Sequence, residues 1–515
     1  MNISHKALFN KLRDDSLLLK CEQYAKWTLP QLMADLSLSR GTTQLVVERD
    51  YQEIGALLVN HLAPKLVKLL FPTTAPFFRI ETSESLREAM AQQGMQPNDI
   101  QIAFARAEAD AVKELFKNAS YAQLILMLKH LIVTGNALLY RDSENKRCCT
   151  YGLQSYVTRR DGKGQLLDCV LREYTFVEGL APDVQETLRI ANKTKYGAPE
   201  QQVEVYTRIH RVVKDKKFCY EVTQEVDEYP VGELGTYPEH LCPWLPVTWS
   251  LIIGEHYGRG LVEDFAGGFA KLSDVSEAHT LYMIEAMRVI NLVSGTAGTD
   301  IDDIANAETG EYLRGDPAAV QAHETGDAQK MAIASQAIEE LFGRLAKAFM
   351  YQANTRDAER VTAYELQRDA QEAENTLGGA YSMLSTATQI PLAHILLVET
   401  HGSMLPGLID GSIKLDITAG IPALGRTGDV QNLLMASQEV AAVAPITQMD
   451  KRISLPKVVD MIKSGRSVDT STIYYSEEEH AANMQAEMQA QQGMQQLQAS
   501  AQAAQQLEQM NEGMV

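Results

Sequence analysis

Residues 262–293 read VEDFAGGFAKLSDVSEAHTLYMIEAMRVINLV. Within them Phe265, Phe269, Leu272, Val275, His279, Tyr282, Ala286, Val289 and Val293 follow at alternating spacings of three and four, the repeat of one helix face. The spacing predicts a single helix over the whole stretch, roughly 45 Å long. Ala266, Gly267, Gly268 and Ala270 near its start would weaken an isolated helix, so they predict the close approach of a neighbouring backbone. A lone His279 on this face reads as packed between helices. A second helix is expected to about residue 351, with Ile338, Leu341, Phe342, Leu345 and Phe349 on one face. The two form a hairpin whose connection, 294–330, is too long for a structureless loop and is expected to fold as a small lobe. In that lobe Asp300, Asp302, Asp303, Glu308, Glu311, Asp316, Glu324 and Asp327 are set against Arg314 and Lys330.

Downstream, a short polar loop at 352–361 carries Asn354, Arg356, Asp357, Glu359 and Arg360. Thr362-x-x-Glu365 is a capping box, opening a third helix through Leu366, Ala370, Ala373, Leu377, Ala380 and Leu384, which Pro391 limits. Residues 477–515 contain eleven Gln, eight Ala, six Glu and five Met with no Lys or Arg. Ser476-x-x-Glu479 would cap a helix there, and its weak apolar face, Met484, Met488, Leu497 and Leu507, would need other copies to pack against. A disordered low-complexity tail is the other reading.

Upstream, residues 1–250 read as a mixed α+β unit, helices early and strands later. Ser120-x-x-Gln123 and Gly135 bracket a helix over 121–134. Val203, Val205, Thr207 and Ile209, then a Lys214-Asp215-Lys216 turn, then Phe218, Tyr220 and Val222, read as a β-hairpin. Asp161-Gly162-Lys163-Gly164 is a plain turn, because it lacks the spacing that cradles phosphate.

Composition narrows the function classes. At 515 residues, two to four packed units are expected, and 45% hydrophobic with 22% charged residues is ordinary for a soluble chain. Lys plus Arg number 47 against 67 Asp plus Glu, a net charge of -20 that disfavours gripping phosphate through surface cations but does not exclude proximity to nucleic acid. Cys21, Cys148, Cys149, Cys169, Cys219 and Cys242 form no zinc-ligand spacing and read as reduced thiols. The first residues show no signal peptide, and the most apolar stretch, 121–140, is interrupted by Lys129, His130 and Asn136, so synthesis in the cytoplasm without a membrane span is expected. Phosphate-loop, dinucleotide, hydrolase and metalloprotease motifs are absent. Asp300-x-Asp302 with Glu311 approximates a calcium loop but fails at Ile304 and Ala305. Neither an enzyme nor a cofactor is expected.

Five runs in order carry a family resemblance: LAPKLVKLLFP (62–72), GLQSYVTRRDGKG (152–164), TYPEHLCPWLPVTWSLIIGEHYGRGLVED (236–264), FMYQANTRDAERVTAYELQRDAQEAENTLGGAYSMLSTATQIPL (349–392) and ITAGIPALGR (417–426). Together they resemble the portal, or head-to-tail connector, proteins of short-tailed, podovirus-type bacteriophages. The resemblance implies a mainly helical α+β portal fold assembled as a ring, usually of twelve subunits, around a central channel. It implies a wing at 1–260 and 362–425, stem helices at 261–293 and 331–352, a clip at 294–330, a tunnel loop at 353–361, a crown at 426–475 and a terminal helical barrel at 476–515. The implied function is a channel at a capsid vertex for packaging and ejecting double-stranded DNA. The implied partners are the packaging ATPase (terminase), scaffolding and capsid proteins, the tail adaptor and internal core proteins, and the implied location is the virion. The tunnel-loop residues would then touch DNA, and Asp300, Asp302, Asp303, Glu308 and Glu311 would dock the motor and tail. From the residues alone, an acidic scaffolding or adaptor protein and a metal-dependent enzyme stay open.

Overall fold

The structure is a computed structural model describing residues 3–34, 50–73, 76–81, 97–287, 289–293, 320–324, 328–351, 383–403, 407–410 and 413–417, with isolated positions between these runs. The chain divides into two units, Met1–Ala423 and Leu424–Val515. All described residues belong to the first, so Met484, Met488, Leu497 and Leu507 lie outside them.

The first helices open on side chains that satisfy free backbone donors. At α1 (His5–Leu12) the Ser4 hydroxyl accepts from the Ala7 N–H at 3.3 Å; at α2 (Asp15–Lys26) the Asp14 carboxylate accepts from Ser16 and Leu17 at 3.0 and 3.1 Å. Helix α3 (Ile54–Leu70) runs through the 62–72 motif and buries Leu58, Val59, Leu62 and Leu66 in the main core. Strand β1 (Phe78–Ile80) and α4 (Pro97–Leu115) follow, then α5 (Ser120–Thr134). Helix α5 begins one residue before the expected 121 and ends as expected at Gly135, whose φ of 75° is the left-handed conformation glycine tolerates. The expected capping box is not made. Ser120 is itself the first helical residue; its hydroxyl accepts from Cys148 N–H at 3.1 Å and the Gln123 amide oxygen from Thr150 N–H at 3.1 Å. Both side chains satisfy the adjoining strand instead of the helix end.

That strand, β3 (Arg147–Tyr151), pairs with β2 (Asn136–Asp142). A five-stranded antiparallel meander follows: β4 (Tyr156–Arg160), β5 (Leu166–Phe176), β6 (Gln202–Lys214), β7 (Lys217–Val226) and β8 (Tyr229–Pro238), with α6 (Pro182–Ala191) between β5 and β6. The anticipated hairpin is β6/β7, turned by Asp215 and Lys216 at φ 50° and 64°, the left-handed pair that matches strand twist. Residues 161–164 are the plain turn expected, with Asp161 accepting from the Lys163 and Gln165 N–H groups, each at 2.8 Å. One face of the meander, through Tyr156, Leu171, Ile209, Tyr220 and Val222, joins the main core. The other carries α1, whose Phe9 packs on Val157, Val170 and Tyr206.

After β9 (Trp244–Thr248), paired to β2, the chain makes one helical turn at Leu261–Asp264 and enters α7 (Ala266–Ala286). The single helix expected over 262–293 is therefore interrupted at Phe265 and ends by Met287. Residues Val289–Val293 form β10, paired antiparallel with β11 (Val320–Glu324) in the register Val289↔Glu324 to Val293↔Val320. Branched residues at 289, 290 and 293 suit a strand better than a helix, and a partner thirty residues away decided the matter. The insertion thus closes on a strand pair whose first strand precedes residue 294.

Helix α8 (Ala328–Ala348) returns beside α7 with the expected face: Leu341, Leu345 and Phe349 are buried, Ile338 and Phe342 partly so. The small residues of α7 act differently from the expectation. A Cβ on Gly268 would stand 3.4 Å from the Leu345 side chain, not against a backbone, and one on Gly267 would meet nothing within 4 Å. Helix α9 (Ile390–His401) begins after a π-helical turn, Ser385–Gln389, whose buried Gln389 side chain bonds Ser385 and the Leu70 carbonyl. Pro391 sits in the first turn of α9, directly after that π-helical turn, so the helical backbone runs through the proline where a limit was expected. Strand β12 (Leu415–Ile417) pairs with β1. All six cysteines are free, as expected. No described helix is long and apolar enough to cross a membrane.

Candidate assembly and channel surface

The α7/α8 hairpin is fastened at its root by a backbone knot. Asn136, 1% exposed, donates from its side-chain amide to the Gly258 carbonyl and accepts from the Gly258 N–H, both at 2.8 Å. The Trp249 N–H donates to the Gly135 carbonyl at 2.9 Å. A Cβ on Gly135 would lie 2.4 Å from the Arg259 carbonyl carbon, and one on Gly260 would lie 2.8 Å from the Ile132 carbonyl oxygen. Two chain segments touch here at a distance that only glycine permits. Just beyond, the Phe269 and Phe349 rings meet edge-on at 5.7 Å.

The far half of the hairpin lacks such packing. Leu281, Ile284 and Met287 are 52%, 59% and 77% exposed, and Leu292 on β10 and Ile333 on α8 are open too. Between the helices the His279 ring meets the Ser335 hydroxyl at 3.3 Å, the packed role expected for it. A helix end apolar on the side away from its only described neighbour calls for further protein. Sequence periodicity singled out one face, Phe265 to Val293 at spacings of three and four, and Leu281, Ile284 and Met287 do not fall on it.

Of the expected docking acids, Asp302 and Glu308 are described and exposed, and the Asn306 side chain donates to the Asp302 carbonyl at 2.8 Å. Asp300, Asp303 and Glu311 lie outside the described residues, as do Asn354, Arg356, Asp357, Glu359 and Arg360. The structure does give the anchor from which 352–361 departs. Helix α8 stops at Ala348, Met350 is buried at φ 53°, and the Tyr351 N–H donates to the Ala346 carbonyl at 2.8 Å. The Tyr351 ring is held edge-on by His61 at 5.0 Å and Phe342 at 5.8 Å.

Burial keeps two core histidines and two core thiols neutral. Burial lowers His130 and His394 to about 4, and burial pushes the Cys21 and Cys242 thiols up to about 12. No three His, Cys, Asp or Glu side chains among the described residues are placed to hold a metal ion.

The sequence model of the bacteriophage head to tail connecting proteins matches residues 7–474. The chain belongs to that family. The connector is 45% identical over 490 residues to the portal protein of Pseudomonas phage phiKMV, covering 95% of each chain. It is 31% identical to that of Enterobacteria phage SP6, over 84% of the connector and 81% of the relative, and 29% identical to that of Escherichia phage T7, over 94% and 90%. Among solved structures it is similar to the neck of an empty GTA particle computed with C6 symmetry (TM-score 0.35, 14% identity, 75% of the connector and 86% of that chain). The neck of a native GTA particle computed with C12 symmetry is similar at TM-score 0.31 and 13% identity, over 77% and 97%.

Proposed function

We propose that the connector is a portal subunit: copies close into a ring, twelve by family resemblance, at one capsid vertex of a virion, and double-stranded DNA passes through the central channel. The single observation on this chain that supports the ring is the unpartnered apolar stripe of the α7/α8 hairpin. Burying a large apolar side chain contributes about 1.5–3 kcal/mol, and repetition around a ring multiplies that gain. The hairpin is then the stem, 294–330 the clip that docks the packaging ATPase and later the tail adaptor, 353–361 the tunnel loop, 426–475 the crown and 476–515 a terminal helical barrel. Scaffolding, capsid and internal core proteins are the remaining partners. The role is mechanical; ATP hydrolysis belongs to the motor. Negative-stain microscopy of the purified protein, assembled in the host cytoplasm, should give homogeneous rings with an open axial channel. Monomers, or closed particles without a channel, would end this reading.

A further inference from the structure

The face of the five-stranded sheet beyond α1 carries a cluster that neither the core nor the hairpin explains. Arg159, Asp168, His210, Glu221 and Thr236 are successive cross-strand partners from β4 to β8. Asp168 is 1% exposed although its strand face is open, because three cationic or basic side chains close over it. Its Oδ2 accepts from Arg159 Nε at 3.0 Å and from Nη2 of the same guanidinium. Its Oδ1 accepts from Arg208 Nη2 at 2.8 Å and Nε at 3.2 Å, and lies 2.7 Å from His210 Nδ1. Burial opposes ionisation of Asp168, but the arginine hydrogen bonds outweigh it and hold the carboxyl below its ordinary range.

We propose that Arg159, Arg208 and His210, set upright by the buried Asp168 carboxylate, form a binding site for a carboxylate-rich segment of a partner protein. Two guanidiniums against one carboxylate leave excess positive charge on the surface of an acidic chain. Each arginine reaches Asp168 through Nε and Nη2, and their Nη1 groups have no partner among the described residues. Those side chains remain 46% and 27% exposed, and that of His210 38%. A carboxylate fits a guanidinium edge in two parallel hydrogen bonds, and an arginine already fixed by a buried acid loses little freedom on binding. Val212, Cys219 and Pro238, half-buried in the next cross-strand row, give an apolar ledge beside the charges.

The confinement of the charge favours protein over nucleic acid. On the same face Glu221 pairs with Lys214 at 2.8 Å, and Glu204 pairs with Lys6 at 2.8 Å, so the excess does not extend along the sheet. Duplex affinity grows with the number of phosphates engaged, and a net charge of -20 repels a long polyanion. A short acidic segment needs only the cluster. The proposal holds whether or not the chain closes a ring.

Fluorescence anisotropy with the full chain tests it, using a fluorescein-labelled oligo-glutamate peptide and a labelled DNA duplex. The peptide should bind more tightly than the duplex. Arg159→Gln and, separately, His210→Gln should each weaken it about tenfold, the scale of one charge-assisted hydrogen bond. Lys163→Gln, on the exposed 161–164 turn, should leave it unchanged. Arg208 packs more deeply and stays intact, and thermal melting checks that the variants fold. No peptide binding by the unmodified chain, tighter binding of the duplex, or equal weakening by Lys163→Gln would each overturn the proposal.

Discussion

Asn136 holds the hairpin root with hydrogen bonds that no other side chain of the knot could make. Asn136→Ala leaves the Gly258 N–H and carbonyl unpaired in the core, a loss of about 1–3 kcal/mol for each buried group orphaned. Urea titration of the variant should show a lower midpoint with an unchanged slope. His130 sets a different dependence. Its folded value, about 4, lies below the ordinary 6.5, so the unfolded chain binds the proton first as pH falls. The associated stability is complete above pH 6.5 and drains away between 6.5 and about 4, on the order of 3 kcal/mol for a shift of this size. His130→Leu should flatten the fall in melting temperature across that window while leaving ordinary denaturation above pH 7 little changed.

Among the elements, the α7/α8 hairpin has two apolar sides, and only one is used within a subunit. Ile284→Glu puts a charge on the exposed side, so the subunit should melt as before while ring yield, read by native mass spectrometry, falls sharply. An unchanged ring yield would show that the stripe faces no other copy. The polar sequence proposed as the tunnel loop makes a separate demand. Arg356 and Arg360 beside Asp357 and Glu359 balance their own charge, which suits brief phosphate contacts better than a grip. Arg356→Ala with Arg360→Ala should leave rings intact and change packaging efficiency or genome retention in an assay of packaged DNA. Normal packaging would reduce the four charges to salt bridges worth ~0–1 kcal/mol each.

For the whole molecule, assembly would have to cover what a single copy leaves exposed. If the Gln- and Ala-rich segment after Ser476 is the helix proposed above, its apolar residues would need other copies to pack against. Truncation before Ser476 should still give rings by electron microscopy but lower genome retention or the attachment of internal proteins. Loss of ring assembly would assign that segment an earlier role.

What the sequence by itself determined follows from local repeats. The bounds of α5 to within one residue, the β6/β7 turn and the buried face of α8 were all legible because helix period, strand alternation and turn chemistry act within a few residues. The motifs at 62–72, 152–164, 236–264, 349–392 and 417–426, in that sequence along the chain, likewise carried the family. Tertiary structure decided everything whose partner lies far along the chain. Residues 289–293 became a strand because 320–324 pairs with them, and Ser120 and Gln123 left the helix end because β3 offered them N–H groups. Gly135 and Gly260 have a purpose only because two backbones meet there, and Arg159, Asp168, Arg208 and His210 converge only through sheet register. Periodicity records which side of an element is apolar, but which neighbour that side meets is settled by packing across the fold.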